Sequence, residues 1–328
     1  MNQGIPRPQP GAPLTITALT RAATPAHGPS GALAKLSSGS KLSIGIELPL
    51  ENDFAHPGPT FGLPDLDQHH ERVVLADGLG FRALWVRDVP VWMPQSFGDA
   101  GQVFDPIAYL GYLAAATRQA LLGTAAIVSP LRNPILLAKA AATLDALSGG
   151  RLILGLASGD RPTEYPLFGV DFHSRAQIYR DNVALLRDLW SHAAAAPNTE
   201  DKVLPAPGGQ IPLVAVGRGG QTTEWAAEHM DAYMTYHRPG KLMRGVVAKW
   251  DSSTPAPEKK PVFAPMLLDL VSDPDGAVEP IRLGARVGRR RLITYLRDLE
   301  QAGIAHIALN LRSSQRPIDD VLKELADH

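Results

Sequence analysis

The feature that most constrains this chain is a repeat. From Lys41 onward, a short apolar run of strand length is followed by a stretch of helical patterning, eight times over. The apolar runs are Ser43–Leu48, Ala83–Arg87, Leu121–Val128, Leu152–Ala157, Ile211–Val216, Ala232–Tyr236, Val262–Leu268 and Ile304–Leu309. The helical stretches are Asp67–Leu79, Pro106–Thr117, Pro134–Leu147, Arg175–Trp190, Thr222–His229, Gly240–Trp250, Arg289–Ala302 and Ile318–Ala326. Strands of this kind are buried on both faces, as in a parallel sheet. Gly149-Gly150 after the third helix is the punctuation expected at a helix end. Eight such units fit an α/β fold of the (β/α)8 TIM-barrel type. The alternative is an open doubly wound sheet, which usually carries a glycine-rich turn after its first strand. Here that strand runs into "ELPLENDFAHPGPTFG", which has no such turn. In a barrel the site lies at the C-terminal strand ends. That directs attention to Glu47, Arg87, Asp88, Ser129, Ser158, Asp160, Arg218, His237 and Asn310.

The first forty residues are different in kind. They are rich in Pro, Ala, Ser, Thr and Gly, and the first acidic residue of the chain is Glu47. Residues 1–40 are therefore read as a flexible extension that adds little to the core, with Ala32–Leu36 as a local docking point. Residues 41–328 are read as the barrel. An acid-free start with Arg7, Arg21 and Lys35 also resembles an organelle transit peptide. Lys+Arg at 32 against Asp+Glu at 33 gives no electrostatic case for nucleic acid or an anionic membrane. No apolar run approaches the roughly 18 residues of a membrane span. The chain has no cysteine, which excludes disulfides, thiolate catalysis and thiolate metal sites. A cytoplasmic location is expected.

Arg218–Met230, "RGGQTTEWAAEHM", sits where the fifth strand becomes a helix. Free backbone N–H groups at a helix start, beside glycines that allow close approach, bind anions. A phosphate there would gain charge-assisted hydrogen bonds, and Arg218 and the Thr222 hydroxyl would add donors. The bland alternative is an ordinary loop in which Thr222 caps the helix.

Other stretches favour the anion reading. "LGTAAIVSPLRNPILLAKAAATLDALSGGRLILGLASGDRPTEYPLFGVDF", Leu122–Phe172, resembles the bacterial luciferase-like flavin monooxygenase superfamily. Within it "GTAAIVSP" is similar to the third strand of luciferase, and "LDALSGGRLILG" to a superfamily signature. "TTEWAA", Thr222–Ala227, resembles the phosphate-loop helix. The resemblance implies a luciferase-like barrel with FMN across the strand ends, and a monooxygenase using reduced flavin and O2 on a small organic substrate. It implies cofactor contacts at Arg218, Gly219, Gly220, Gln221 and Thr222, and at Ala157, Ser158 and Asp160. It also implies a cis peptide at Ala125–Ala126 beneath the flavin ring. Where luciferase carries an arginine for the phosphate this chain has Ser158, so Arg218 or Arg161 is the expected replacement. A separate NAD(P)H:flavin reductase and a homodimer through the early helices are implied as well. An F420-dependent dehydrogenase on the same barrel, and a non-catalytic flavin-binding protein, are the alternatives.

The chain departs from luciferase at the second strand, where a catalytic histidine is replaced by Arg87-Asp88. Two readings stand: the pair closes the barrel rim, or Arg87 contacts flavin or a substrate anion with Asp88 orienting it. No metal site is expected. His69-His70 are adjacent on a helix and read as solvated. His237 ends a strand and either faces the pocket or caps the next helix. Trp92–Phe97 is a candidate wall of an apolar substrate pocket. "GRRR", Gly288–Arg291, reads as a solvated helix start, or as the edge of an anionic ligand site. Ser272–Gly288, rich in Gly, Pro and Asp, reads as a long mobile lid bordering the site through Arg282 or Arg286.

Overall fold

A computed structural model describes residues 31–37, 41–50, 66–92, 104–195, 201–256 and 259–326. Its order is α1 (Gly31–Ser37), β1 (Ser43–Glu47), α2 (Leu66–Gly78), β2 (Ala83–Val86), α3 (Pro106–Ala116), β3 (Leu121–Thr124) and β4 (Ile127–Val128). Next come α4 (Pro134–Ser148), β5 (Leu152–Ala157), α5 (Arg175–Ala195), β6 (Leu213–Val216), α6 (Thr223–His229), β7 (Ala232–Met234) and α7 (Gly240–Ser253). The chain ends with β8 (Val262–Val271), β9 (Glu279–Ile281), β10 (Gly284–Gly288), α8 (Arg289–Gln301), β11 (Ile304–Asn310) and α9 (Ile318–Ala326). Strands β1, β2, β3, β5, β6, β7, β8 and β11 form a parallel ring, closed where β11 pairs with both β8 and β1. This is the (β/α)8 barrel that the repeat predicts.

Local chemistry sets the helix starts. Asp105 accepts from the N–H groups of Ile107 and Ala108 at the head of α3, and Asn133 from those of Ile135 and Leu136 at the head of α4. Both helices place proline first, where a missing N–H costs nothing.

The period-two alternation of the strands sorts their side chains into two cores. Leu84, Val86, Leu122, Leu154, Leu213 and Ile307 pack outward against the helices. Ala83, Trp85, Leu121, Ile153, Val214, Ala232, Met234, Phe263 and Ala308 point inward and fill the barrel. The largest inward side chain is Trp85, and Gly123 makes room for it: a Cβ there would lie 2.3 Å from the indole.

The lower end of the barrel is closed more firmly than the sequence suggests. Ala32, Leu33 and Leu36 of α1 are buried within the inward core. The local docking expected at Ala32–Leu36 thus takes the form of a short helix packed on the inward core. Three small or branched apolar residues at helical spacing suffice to plug the barrel floor. Just above it, His306 Nε2 accepts from Trp85 Nε1 at 2.9 Å, which places the ring proton on Nδ1, beside the Ser43 hydroxyl at 2.8 Å. Ser43 in turn donates to the Leu36 carbonyl.

The span Ser272–Gly288 also departs from expectation, because it is not an irregular lid. β8 runs beyond the ring, and its outer half, Leu267–Val271, pairs with β10, which pairs antiparallel with β9. The segment is thus a hairpin that extends the barrel wall. The sequence signal was masked because Gly, Pro and Asp fill its turns.

Candidate active site

The strand alternation carries through to the upper rim and decides which side chains face the mouth. On β2, Ala83 and Trp85 point inward, so Arg87 does too, and Asp88 points away. On β1, Ile44 and Ile46 pack outward, so Glu47 faces in. Arg87 Nε lies 2.5 Å from Glu47 Oε1, and the glutamate is almost fully buried. By the same parity, Asp269 on β8 and Asn310 on β11 face the mouth. Asp269 pairs with Arg286 at 3.3 Å and accepts from the Gln315 N–H. The β8–β11–β1–β2 side of the mouth is therefore polar.

Asp88 does not orient Arg87. Its carboxylate is held by Arg132, at 3.0 Å from Nε and 2.8 Å from a terminal nitrogen, and it accepts from the Val128 N–H at 3.1 Å. Its side chain is 1% exposed. Adjacent residues of an extended chain point to opposite sides, so a neighbouring pair cannot share one pocket. Asp88 thus ties the end of β2 to β4 at Val128 and to Arg132, which also binds Asp105.

The β3–β5 side of the mouth is small and flat. The Ala125–Ala126 peptide is cis. Ala125 packs on the inward core, and Ala157 shares the inward parity of Ile153. The ladder to β5 is interrupted here, and Thr124 fills the gap: its hydroxyl donates to the Gly155 carbonyl and accepts from the Gly155 N–H, both at 2.8 Å. Ser158 is buried, with its carbonyl taken by the Tyr165 hydroxyl. Asp160 is exposed beyond it.

The loop after β6 divides the residues assigned to it. Gly217, Gly219 and Gly220 all have positive φ. A Cβ on Gly219 would strike Tyr179, and one on Gly220 would strike Ala176, both at 2.7 Å, so these two glycines serve packing against α5. Gln221 is engaged within the fold. Its amide oxygen accepts from Arg180, its amide nitrogen donates to the Ala176 and Gly219 carbonyls, and its backbone N–H donates to Arg218. Thr222 caps α6 by accepting from the Trp225 N–H at 3.1 Å, which leaves its hydroxyl proton to donate. Arg218 is exposed. Arg161, the other candidate cation, is tied to Glu164 at 3.3 Å.

The histidines behave differently from expectation. His69 is buried and bonded to the Tyr109 hydroxyl at 2.6 Å, and burial pulls its pKa down to about 4. His237 follows the outward parity of Tyr233 and bonds Tyr295 of α8 at 2.7 Å, with its pKa lowered to about 4 by burial. It faces the helices, and Tyr236 takes the inward position. The pattern Ala232–Tyr236 contained that alternation, but nothing in it told which parity faced in. Among the described residues no cluster of side chains could hold a metal, and no helix is long and apolar enough to cross a membrane. Residues 93–97 of the candidate apolar wall lie outside the described residues.

A closed parallel barrel whose upper mouth pairs a flat floor of small residues with a glycine-containing loop defines the class: a (β/α)8 protein with its site at the C-terminal strand ends. The luciferase-like monooxygenase family model matches residues 43–310, and the chain belongs to that family. Its members are oxidoreductases and monooxygenases. The chain is similar to the alkanal monooxygenase alpha chain of Photorhabdus luminescens, 28% identical over 47% of this chain and 43% of that one. It is also similar to an F420-dependent glucose-6-phosphate dehydrogenase of Amycolatopsis mediterranei, 31% identical over 40% and 39%. The chain thus spans less than half the length of these relatives. Among solved structures, an F420-dependent secondary alcohol dehydrogenase superposes with a TM-score of 0.68 at 18% identity, covering 88% of this chain and 98% of that one. The EDTA monooxygenase of Chelativorans gives 0.66 at 13%, covering 88% and 93%. At such identities the likeness concerns the fold.

Proposed function

We propose that the protein is an FMN-dependent monooxygenase that uses reduced flavin and O2 on a small organic substrate. The observation that carries this reading is the flat floor at Ala125–Ala126 and Ala157, with the Arg218–Thr222 loop beside it. A planar ring needs a surface free of projecting side chains, and a phosphate needs donors at a short reach. Arg218 and the Thr222 hydroxyl would hold the phosphate. Bound there, the reduced cofactor would supply the electrons for oxygenation. Arg87, beside Glu47, would contact the substrate or a ring carbonyl. Asp88 would act only by holding β4, and with it the floor.

The F420-dependent dehydrogenase is the second reading, favoured by the relatives named for that cofactor. The floor suits either ring. A separate NAD(P)H:flavin reductase as source of reduced FMN, and a homodimer, belong to the first reading.

Titration of the purified protein with FMN, riboflavin and F420 tests the assignment. FMN should bind at least tenfold more tightly than riboflavin, and Arg218→Ala with Thr222→Val should abolish that difference (roughly tenfold per charge-assisted contact). Preference for F420 would select the second reading. FMN binding without O2 uptake, when reduced FMN is supplied with a panel of substrates, would leave a flavin-binding protein.

A further inference from the structure

The two backbones beneath the flat floor do not keep step. Gly123 pairs with Ile153, and Ile127 pairs with Leu156. Thr124, Ala125 and Ala126 therefore lie opposite only Leu154 and Gly155 of β5. One extra residue on one strand of a pair is a β-bulge. The packing on either side agrees. On β5, Leu152, Leu154 and Leu156 all pack outward against the helices, an unbroken alternation. On the facing chain the outward positions change from Leu122 to Ile127, from even numbers to odd. Counted from Leu121 below the bulge, Ala125 faces inward, and it packs on the inward core. Counted from Ile127 above it, Ala126 faces inward as well. An ordinary strand turns only alternate side chains to one face. This bulge turns two consecutive alanines to the mouth, which makes the floor wide as well as flat.

Thr124 holds that bulge. A bulge disrupts the ladder locally, and here the N–H and the carbonyl of Gly155 both bond to the Thr124 hydroxyl, at 2.8 Å each. A hydroxyl can serve both groups because it donates and accepts at once. The side chain is fully buried and has the outward parity of Leu122, so it does not reach the mouth. Gly155 completes the fit, since a Cβ there would lie 1.9 Å from the Thr124 carbonyl oxygen. At the far end of the bulge, Asp88 accepts from the Val128 N–H. We propose that Thr124 is a positioning residue for the bound ring: its hydroxyl fixes the bulge that sets Ala125 and Ala126 side by side beneath it. The inference rests on the flavin reading above, and the residue acts without touching the ring.

The test is equilibrium titration of the full chain and its Thr124→Ser and Thr124→Val variants with FMN and with riboflavin. Visible circular dichroism of the bound ring and melts of the ligand-free proteins accompany it. Serine keeps the hydroxyl, whereas valine keeps the shape and removes it. Thr124→Val should weaken FMN and riboflavin by the same factor, about tenfold, because the floor meets the ring and not the phosphate. The circular dichroism of the ring should change with it, since the ring then rests on a shifted surface. Thr124→Ser should stay within about threefold of the unmutated protein and keep its spectrum. Valine also leaves two buried backbone groups of Gly155 unpaired, so its ligand-free melting temperature should fall. If valine prevents folding, Thr124→Ala, which leaves room for water beside Gly155, takes its place with the same expected loss. A folded variant without the hydroxyl that keeps both affinity and spectrum makes Thr124 purely structural and overturns the assignment. A loss confined to FMN overturns it too, because the effect then lies at the phosphate. If the unmutated protein binds neither ligand, the flavin reading falls, and this inference with it.

Discussion

Arg151 offers the sharpest test of how this barrel is held together. It belongs to the "LDALSGGRLILG" stretch that carries the family likeness, yet it lies at the lower end of β5, opposite the mouth. Its guanidinium makes five hydrogen bonds: to the carbonyls of Ser148 at 2.7 Å, Ala120 at 2.9 Å, Ala114 at 3.0 Å and Thr117 at 3.2 Å, and to the Thr117 hydroxyl at 2.8 Å. Three of these acceptors, the carbonyls of Ala114, Thr117 and Ser148, lie at the ends of α3 and α4, where such groups have no partner within the helix, and the Ala120 carbonyl lies in the turn before β3. Arg151 is a shared C-terminal cap for two helices and the strand between them. Bonds to a charged donor are worth roughly 1.5–3 kcal/mol each, but water reaches part of this region after truncation and the terms do not add. We expect Arg151→Ala to cost about 4 kcal/mol. Arg151→Lys, with three donors and no planar fork, should cost about 2 kcal/mol. The assay is the urea midpoint at constant m-value, read with cofactor affinity on the folded protein, which should not change. A loss below about 1 kcal/mol for the alanine variant would show that the five bonds are replaced by water at little cost, and that the capping argument is wrong.

Four further outcomes follow from the geometry. Arg87→Ala should lower turnover by about a hundredfold or more while FMN affinity holds, the cost of losing one preorganised donor; normal turnover would make the Glu47–Arg87 pair structural. Asp88→Asn should act on stability, by about 3 kcal/mol, because Arg132 loses its buried counter-charge; an intact urea midpoint would contradict the clamp. His306, with its pKa pulled to about 3 by burial, and His69 and His237 at about 4, are neutral in the fold but take up protons when unfolded. Their stability contribution is therefore complete above pH 6.5 and lost as pH falls from there toward about 4 for His69 and His237 and about 3 for His306, on the order of 1–2 kcal/mol each by pH 5, which denaturation midpoints at pH 7 and pH 5 will read. Leu33→Ala combined with Leu36→Ala should cost about 4 kcal/mol by opening the barrel floor, and an unchanged melting curve would show that α1 is dispensable.

Much of this protein was legible in its amino-acid order. The eight strand–helix units, their boundaries to within a few residues, the caps, and the cis peptide implied by family resemblance at Ala125–Ala126 are local matters, set by periodicity and short motifs. The partners were not legible. That Arg87 reaches back to Glu47, and that Asp88 turns to Arg132, depends on which parity of β2 faces inward. Only closure of the ring decides that. Gln221 is placed like a phosphate contact by position, and tertiary packing commits its side-chain amide to α5 and its own loop. That Ala32–Leu36 docks was legible, but that it plugs the lower end of the barrel was not, because that opening exists only once the strands close. Composition hid the β9–β10 hairpin, since its pairing partner is the outer half of a strand already counted. Local patterning therefore determined which elements form and where the mouth lies. Closure of the barrel decided which side chains meet there, because a strand offers two faces and only the assembled sheet chooses between them.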